Sequence, residues 1–397
     1  MKSALLAGLL LAVALHPAAA QSRLTGKTLD AATGQPVPYA SVSVLNTTAG
    51  TTSNAEGEFE LRGIALPVTL VVSELGHERD TVAVATAAPL QLKLKPASVM
   101  LPEVALGTYT EELIKKAYRQ LKKSSPTKTY SQAFYRQITR LDGQPTEVQE
   151  MIWHAKTTSG GMEGTAMARG RFAAKKALLQ FNNFSIFTKS IVLFNPLVDS
   201  TQQGGVVSLN VARAYTLKLL GVTQNGNQNL VQIGFVSKSN FSPTPNRGTI
   251  TIDEATHQVL RFRVESQHLI RVTSNNPTFK FKTESSVFEM AFQPSATGAN
   301  LDYIKVTYQG AVGRLLKEDV NLQASSFTSF YAVQSSPTSG VAYDSAGKVR
   351  SDLAAIKKTT YEATAWQNNS AVKRTPLEEE VIKSFEQKGA FGTMLTP

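Results

Sequence analysis

Residue types able to do chemistry are few in this chain, and their spacing does not assemble a reactive centre. The histidines beyond residue 20 are His77, His154, His257 and His268. A zinc site draws on such residues at fixed intervals, as in the i, i+4 pair of H-E-x-x-H on a helix. No such pair occurs. At i+3 from His77 stands Asp80 and at i+3 from His154 stands Thr157, while His257 falls in a turn-forming segment and His268 at the end of a strand-like one. All of them read as surface or locally hydrogen-bonded imidazoles. Cysteine is absent from the chain, which removes disulfides, thiolate metal sites and a thiol nucleophile. There is no G-x-S-x-G elbow and no S-x-x-K with its companion motifs. Gly160-Gly161 and Gly204-Gly205 are not followed by the Lys-Ser/Thr of a phosphate loop.

Carboxylates need a separate test, because glycoside hydrolysis asks only that two of them face each other across a cleft. Glu147 and Glu150 share one predicted strand, and a separation of three sends them to opposite faces. Asp253-Glu254 belongs to a turn, where Asp serves the backbone. The expectation is therefore a protein that is not an enzyme and needs neither cofactor nor metal. Two groups of residues speak for binding instead. Phe181, Phe184, Phe187 and Phe194, with Ile186, Ile191, Val192 and Leu193, form the most apolar stretch of the second half of the chain. It is either core or the wall or lid of an apolar ligand surface. Lys115, Lys116, Arg119, Lys122 and Lys123 crowd one helical segment. They form either an anionic-surface patch or a solvated helix face.

Charge is distributed unevenly. Residues 22–95 carry six Lys/Arg against seven acids, whereas residues 96–397 carry 34 against 23. Such an excess favours anionic surfaces, and the partners expected are an envelope protein, a lipid or an anionic glycan. Nucleic acid is not expected, since no recognition-helix or stacking motif appears and the chain reads as exported. Export is inferred from residues 1–20. Lys2 supplies a positive start, Ala4 to Leu15 an apolar run, and Ala18-Ala19-Ala20 a small-residue cleavage site before Gln21. The run is shorter than the ~20 residues of a spanning helix, and no later stretch resembles it. The expected location is the periplasm or the periplasmic face of the outer membrane, with no transmembrane segment after signal cleavage and, without Cys, no lipoprotein anchor.

These residues have to be positioned by folded elements, and the first of these lie in residues 21–95. Ala40, Val42 and Val44 alternate with Ser41 and Ser43, and Phe59 and Leu61 alternate with Glu58 and Glu60. That period of two marks half-buried strands. Residues 66–73 form a near-continuous apolar run, and residues 81–85 and 90–94 complete the set. Short strands between Gly/Pro turns argue for a β-sandwich. The order "G…TG.PVPYASV.V", "T.S…GEFEL" and "L..SELGHE" resembles the carboxypeptidase-like regulatory domain, a transthyretin-like β-sandwich of Gram-negative envelope proteins. That resemblance implies a module without an active site.

A linker is expected over 96–108, and a larger antiparallel β-rich domain over 109–397. Leu113, Ala117 and Leu121 recur at i, i+4, i+8 and predict an amphipathic helix near 110–123, with Thr110 as its cap. Pro376 opens a second helix near 376–387, with Glu378, Glu379 and Glu380 at its positive end. Between them the pattern predicts strands at 130–139, 147–155, 215–221, 230–237, 248–253, 258–265, 278–292, 301–309 and 320–331, and leaves 183–197 open between helix and strand. Residues 128–137, 247–253, 365–369 and 375–379 are similar to uncharacterised Gram-negative proteins that carry the regulatory module at the front. The hairpin "G.I.ID…V.RF" is also similar to strands of lipoprotein-carrier half-barrels, which implies a cradle for acyl chains. The fold class expected is mainly β. The function expected is a non-catalytic cell-envelope binding or scaffolding protein, with a lipid or amphiphile carrier and an envelope glycan hydrolase as alternatives.

Overall fold

The computed structural model describes residues 22–47, 49–100, 108–175, 181, 183–194, 198, 205–225, 228–239, 244–270, 272, 278–314, 317–346, 351–367, 369 and 371–393. The leader read at 1–20 lies outside them. The chain is mainly β, as its alternation predicts. The first unit holds β1 (Ser22–Asp30), β2 (Ser41–Val44), β3 (Gly50–Thr52), β4 (Glu58–Ile64), β5 (Val68–Ser73), β6 (Asp80–Val84) and β7 (Leu90–Leu94). They form two sheets, ordered β4-β1-β7 and β3-β2-β5-β6. Leu24, Val42, Phe59, Leu61, Leu70, Val72, Leu92 and Leu94 fill the space between them. The residues that alternate with these, such as Ser41, Ser43 and Ser73, point away from that core.

The second unit is built on one twelve-stranded sheet. Its strands are β8 (Ser98–Met100), β9 (Thr129–Leu141), β10 (Gln144–Thr158), β11 (Gly161–Ala174), β12 (Tyr215–Asn225), β13 (Gln228–Ser237), β14 (Arg247–Asp253), β15 (Val259–Ser266), β16 (Phe279–Gln293), β17 (Asn300–Arg314), β18 (Lys317–Gln334) and β19 (Asp344–Ser345). Their spatial order is β19-β11-β10-β9-β18-β17-β16-β15-β14-β13-β12-β8. An antiparallel meander from β12 to β18 thus closes onto the earlier triplet through the β18–β9 pair. Residues 98–100, within the stretch read as a linker, pair with β12 and form the sheet's edge. The sheet is strongly curled. β11 and β16 would stand ~24 Å apart if five strand spacings were laid flat, yet a Cβ at Gly161 would lie 3.4 Å from the Met290 methyl.

Helices line both faces of this half-barrel. They are α1 (Tyr109–Ser124), α2 (Ser185–Ser190), α3 (Val211–Ala214), α4 (Asp352–Ile356), α5 (Ala363–Gln367), α6 (Pro376–Gln387) and α7 (Ala390–Thr393). α1 starts one residue before Thr110, with Thr108 at its N-cap and no side-chain cap bond. Thr110 is instead buried in the first turn, which corrects the capping role expected for it. Leu113, Ala117 and Leu121 are buried as the period demands, in the main core with the concave face, α2, α3 and α4. The ambiguous segment after Asn183 resolves as the short helix α2. α6 begins on Pro376 behind a full capping box, with Thr375 and Glu378 exchanging side-chain and backbone bonds. It packs with α7 on Ile138, Val148 and Ala173 of the convex face. Among the described residues no helix is long and apolar enough to cross a membrane.

Candidate functional site

The register makes the concave face readable strand by strand. One row of mutually opposed residues runs Leu217, Phe235, Gly248, Val264, Phe288, Val306, Ser326, Gln137, Gln149, Phe172. From β12 to β17 it is apolar or empty, and on β18, β9 and β10 it turns polar. The adjacent row repeats the division, with Leu219, Ile233, Ile250, Phe262, Met290 and Ile304 followed by Thr328 and Tyr135.

Helices α2 and α4 cover the polar part. Thr188 reaches Ser326 at 3.3 Å, and Ser185 donates to the Asp352 carboxylate. Lys189 meets the same carboxylate at 3.1 Å and lies 4.7 Å over the Trp153 ring. Tyr135 donates to Gln137 at 2.9 Å, and the Phe181 amide donates to Glu147 at 2.7 Å. Most of these polar groups thus have a partner, as burial requires, while the Thr328 hydroxyl and the Gln149 carbonyl oxygen have none among the described residues. Glu147 is completely buried and also accepts from the Gln137 side chain at 3.3 Å, and burial pushes its carboxyl up to about 7 against the Phe181 amide.

The apolar part is only partly covered. A groove of about 320 Å³ remains between α2 with the following Ile191 and Val192, and the concave strands. Its strand wall is made by Tyr215, Phe235, Phe262, Val264 and Phe288, and Phe187 projects into it from α2. Tyr215 meets Phe235 edge-on at 5.7 Å, and Phe235 stacks on Phe262 at 5.8 Å with 6° between planes. Gly248 is what makes room. A Cβ there would stand 2.7 Å from the tip of the Phe235 ring and 1.9 Å from the Arg263 carbonyl oxygen. Polar groups in the lining are few, chiefly Ser190 and Asn246, and Val192 at the rim is 45% exposed.

The aromatic residues singled out in the sequence divide between two roles. Phe184 and Phe194 are buried, Phe184 between Phe181 and Phe187 at 5.5 Å from each and Phe194 against Tyr118. Phe181 is half-buried, 5.8 Å from Tyr308. Phe187 alone of the four also lines the groove. Sequence reasoning did not name Tyr215, Phe235, Phe262 and Phe288, which come together only once the register is fixed. The glycine at the head of an otherwise apolar strand, Gly248, was the available signal. In the basic group, Lys115 is tied to Glu111 and Glu112 at 2.7 and 3.0 Å on its own helix. Lys116, Arg119, Lys122 and Lys123 are exposed.

His77 takes Glu74 at 2.7 Å and Asp30 at 3.1 Å within the sandwich. Among the described residues no group of three His, Cys, Asp or Glu is placed to hold a metal ion. Glu150 faces the convex side. Arg136 and Arg171 each donate an Nε–H to it, at 2.7 and 2.6 Å, and reach on to Glu378 and Glu386 of α6. This network fastens the C-terminal helices to the sheet.

Residues 24–110 match the family described as CarboxypepD_reg-like domain. The match spans the sandwich, β8 and the start of α1, and leaves the rest of the half-barrel unassigned. The chain is similar in part to the crystal structure of a DUF1329 family protein from Desulfovibrio piger, at 9% identity over 58% of this chain and 95% of that one, with a TM-score of 0.22. It is also similar to a putative membrane-associated protein of unknown function from Bacteroides fragilis, at 11% identity over 80% and 99% of the two chains, with a TM-score of 0.17. Scores of that size carry no argument about either fold or function. No curated protein matches the chain.

Proposed function

We propose that this chain is a non-catalytic binding protein of the cell envelope, and that its ligand is an amphiphile whose apolar part enters the groove of the half-barrel. One observation carries the reading: the concave face is split into a polar part sealed by α2 and α4 and an apolar part left partly open. An apolar surface with its own helical cover would be core. Here Phe187, Phe262 and Leu269 are only half-buried, and a cavity within the range of small-ligand sites lies among them. The residues at 1–20, with their positive start, apolar run and Ala-Ala-Ala end, support export to the periplasm or the periplasmic face of the outer membrane. The excess of Lys and Arg beyond residue 95 favours an anionic headgroup.

Native mass spectrometry of the protein extracted gently from the envelope tests this, together with titration by a dansyl-labelled undecanoic acid. A retained mass of lipid size, and probe binding that weakens at least tenfold in Phe187→Ala and in Val192→Glu, is the expected result. A clean apo mass with no probe binding would remove the amphiphile and leave a protein-binding scaffold.

A further inference from the structure

A larger cavity lies on the other side of the sheet, where the sandwich packs against the convex face. Besides the bonds of Thr51 and Asn54 to the Ala371 and Arg374 carbonyls and the Glu58–Lys373 ion pair, two joints between the units flank it. At one, the Tyr39 ring stacks on Phe327 at 4.8 Å and meets Tyr303 at 5.4 Å, and Thr52 shares a hydrogen bond with Ser329 at 2.9 Å. At the other, Arg261 donates to Glu74 at 2.7 Å. Between these fastenings the surfaces part and leave a cleft of about 700 Å³.

Its walls set polar groups among apolar ones. On the sandwich side stand Ser41, Ser43 and Ser73, the outward residues of the paired strands β2 and β5. On the sheet side stand Gln228, Gln293, Arg261 and Asp302. Asp302 is where it is because of a β-bulge. Ala291 pairs with Tyr303 and Phe292 with Leu301, so Asp302 has no cross-strand partner, and a bulge of this kind re-aims a side chain. One carboxylate oxygen accepts from Gln293 at 3.2 Å. Burial between the two units pushes the Asp302 carboxyl up to about 7. Arg261 stands on the same wall. Its Nε–H is buried and has no hydrogen-bond acceptor among the described residues, the nearest Glu289 oxygen being 3.8 Å away and already taken by the Tyr303 hydroxyl at 2.6 Å.

The cleft thus offers hydroxyls, amides and the Asp302 carboxyl, with Glu78 and Arg79 both exposed and opposite in charge. The positive excess of the chain is not concentrated here. Apolar residues such as Val71, Leu230 and Phe292 share the wall with these groups, a mixture that suits the C–H faces and hydroxyls of a sugar, and a polyanion finds too little positive charge. We infer that the interdomain cleft is a second binding site, for an uncharged oligosaccharide whose ring hydroxyls pair with Ser41, Ser73, Gln293 and Asp302. It lies on the opposite face of the sheet from the apolar groove and does not depend on it.

Saturation-transfer NMR on the full chain at pH 7, with maltotetraose, cellotetraose, chitotetraose and mannotetraose as probes, tests the inference. At least one should bind. Its affinity should fall at least tenfold in Asp302→Ala, which alters the sheet wall, and in Ser73→Trp, which fills the cleft from the sandwich wall. Binding of the dansyl fatty acid should be unchanged in both. The site is overturned if none of the four sugars binds, or if binding survives both substitutions.

Discussion

Glu147 and Glu150 stand three residues apart on β10 and lie on opposite faces of the sheet, the first against the Phe181 amide in the concave interior and the second between Arg136 and Arg171 on the convex side. Their carboxyls are driven in opposite directions, to about 7 and about 2. Two carboxyls with separated pKa values are the mark of an acid–base pair when they share a cleft. These two have a sheet between them. Each is instead a structural group with its own pH signature.

For Glu150, burial alone would raise the pKa, but Arg171, Arg136 and Arg374 outweigh it. Removing the charge leaves two buried guanidinium groups short of an acceptor. Glu150→Gln should destabilise the protein by ~3 kcal/mol, in line with the loss of one partner of a buried pair, and release α6 and α7 first. Chemical denaturation with hydrogen exchange across residues 376–393 measures both effects. Because the folded pKa is depressed, the contribution is whole above about 4.5 and disappears as pH falls toward about 2. Wild type and Glu150→Gln should therefore converge in stability at the acid end.

Glu147 gives the reverse sign. Its folded pKa lies above the ordinary value of 4.5, so between about pH 4.5 and 7 the folded chain holds a proton that the unfolded chain has lost. Stability falls across that interval and is flat beyond it. Glu147→Gln should abolish this dependence and make the protein more stable at pH 8 by ~3 kcal/mol. Urea titrations at pH 5 and pH 8 on both proteins check it. Equal slopes with pH in the two would show that Glu147 is not the group responsible.

Much of this architecture was legible in the chain because two periods are strong in it. Alternation at Ala40–Val44 and 58–61 gave the sandwich strands, and Leu113, Ala117 and Leu121 gave the buried stripe of α1. Pro376 gave the start of α6. The face assignment of Glu147 and Glu150 followed from strand geometry alone. What could not be read were contacts set by tertiary pairing. Nothing local marks Ser98–Met100 as an edge strand, because its partner Val222–Gln224 lies more than a hundred residues away. The Phe235–Phe262 stack, the bulge that turns Asp302 and the joint between Glu74 and Arg261 likewise exist only after register and docking are fixed.

Gly248 tests the groove from its floor. Its missing side chain leaves space beside Phe235, and a methyl group there would press on the Arg263 carbonyl at 1.9 Å. Backbone oxygen cannot move aside without breaking the β14–β15 pairing. Gly248→Ala should cost ~3 kcal/mol, the upper end for overpacking, and weaken the dansyl fatty acid by more than the destabilisation alone accounts for. Thermal melts and probe titration below the melting range separate the two.

The joint between the two units makes the last prediction. Glu74 is held at about 2, His77 and Arg261 together outweighing its burial, and His77 is raised chiefly by its bond to Glu74. The signs differ. The Glu74 contribution is present above about 4.5 and lost as pH falls toward about 2, whereas that of His77 is present below its ordinary 6.5 and lost as pH rises through its elevated value. Docking of the sandwich should therefore loosen as pH falls toward about 2, while on the alkaline side the loss of the His77 contribution weakens the sandwich itself. Arg261→Ala removes the only one of these groups that comes from the half-barrel, and should weaken docking by ~2 kcal/mol, the scale of a hydrogen bond to a charged group. Calorimetry should then resolve two transitions in Arg261→Ala where the wild type melts in one, because the core around Leu24, Phe59 and Leu70 is separate from that of the half-barrel. A single transition retained in the variant would mean that the Tyr39–Phe327 stack, the Thr52–Ser329 bond and the contacts of Thr51, Asn54 and Glu58 with residues 371–374 hold the units together without this ion pair.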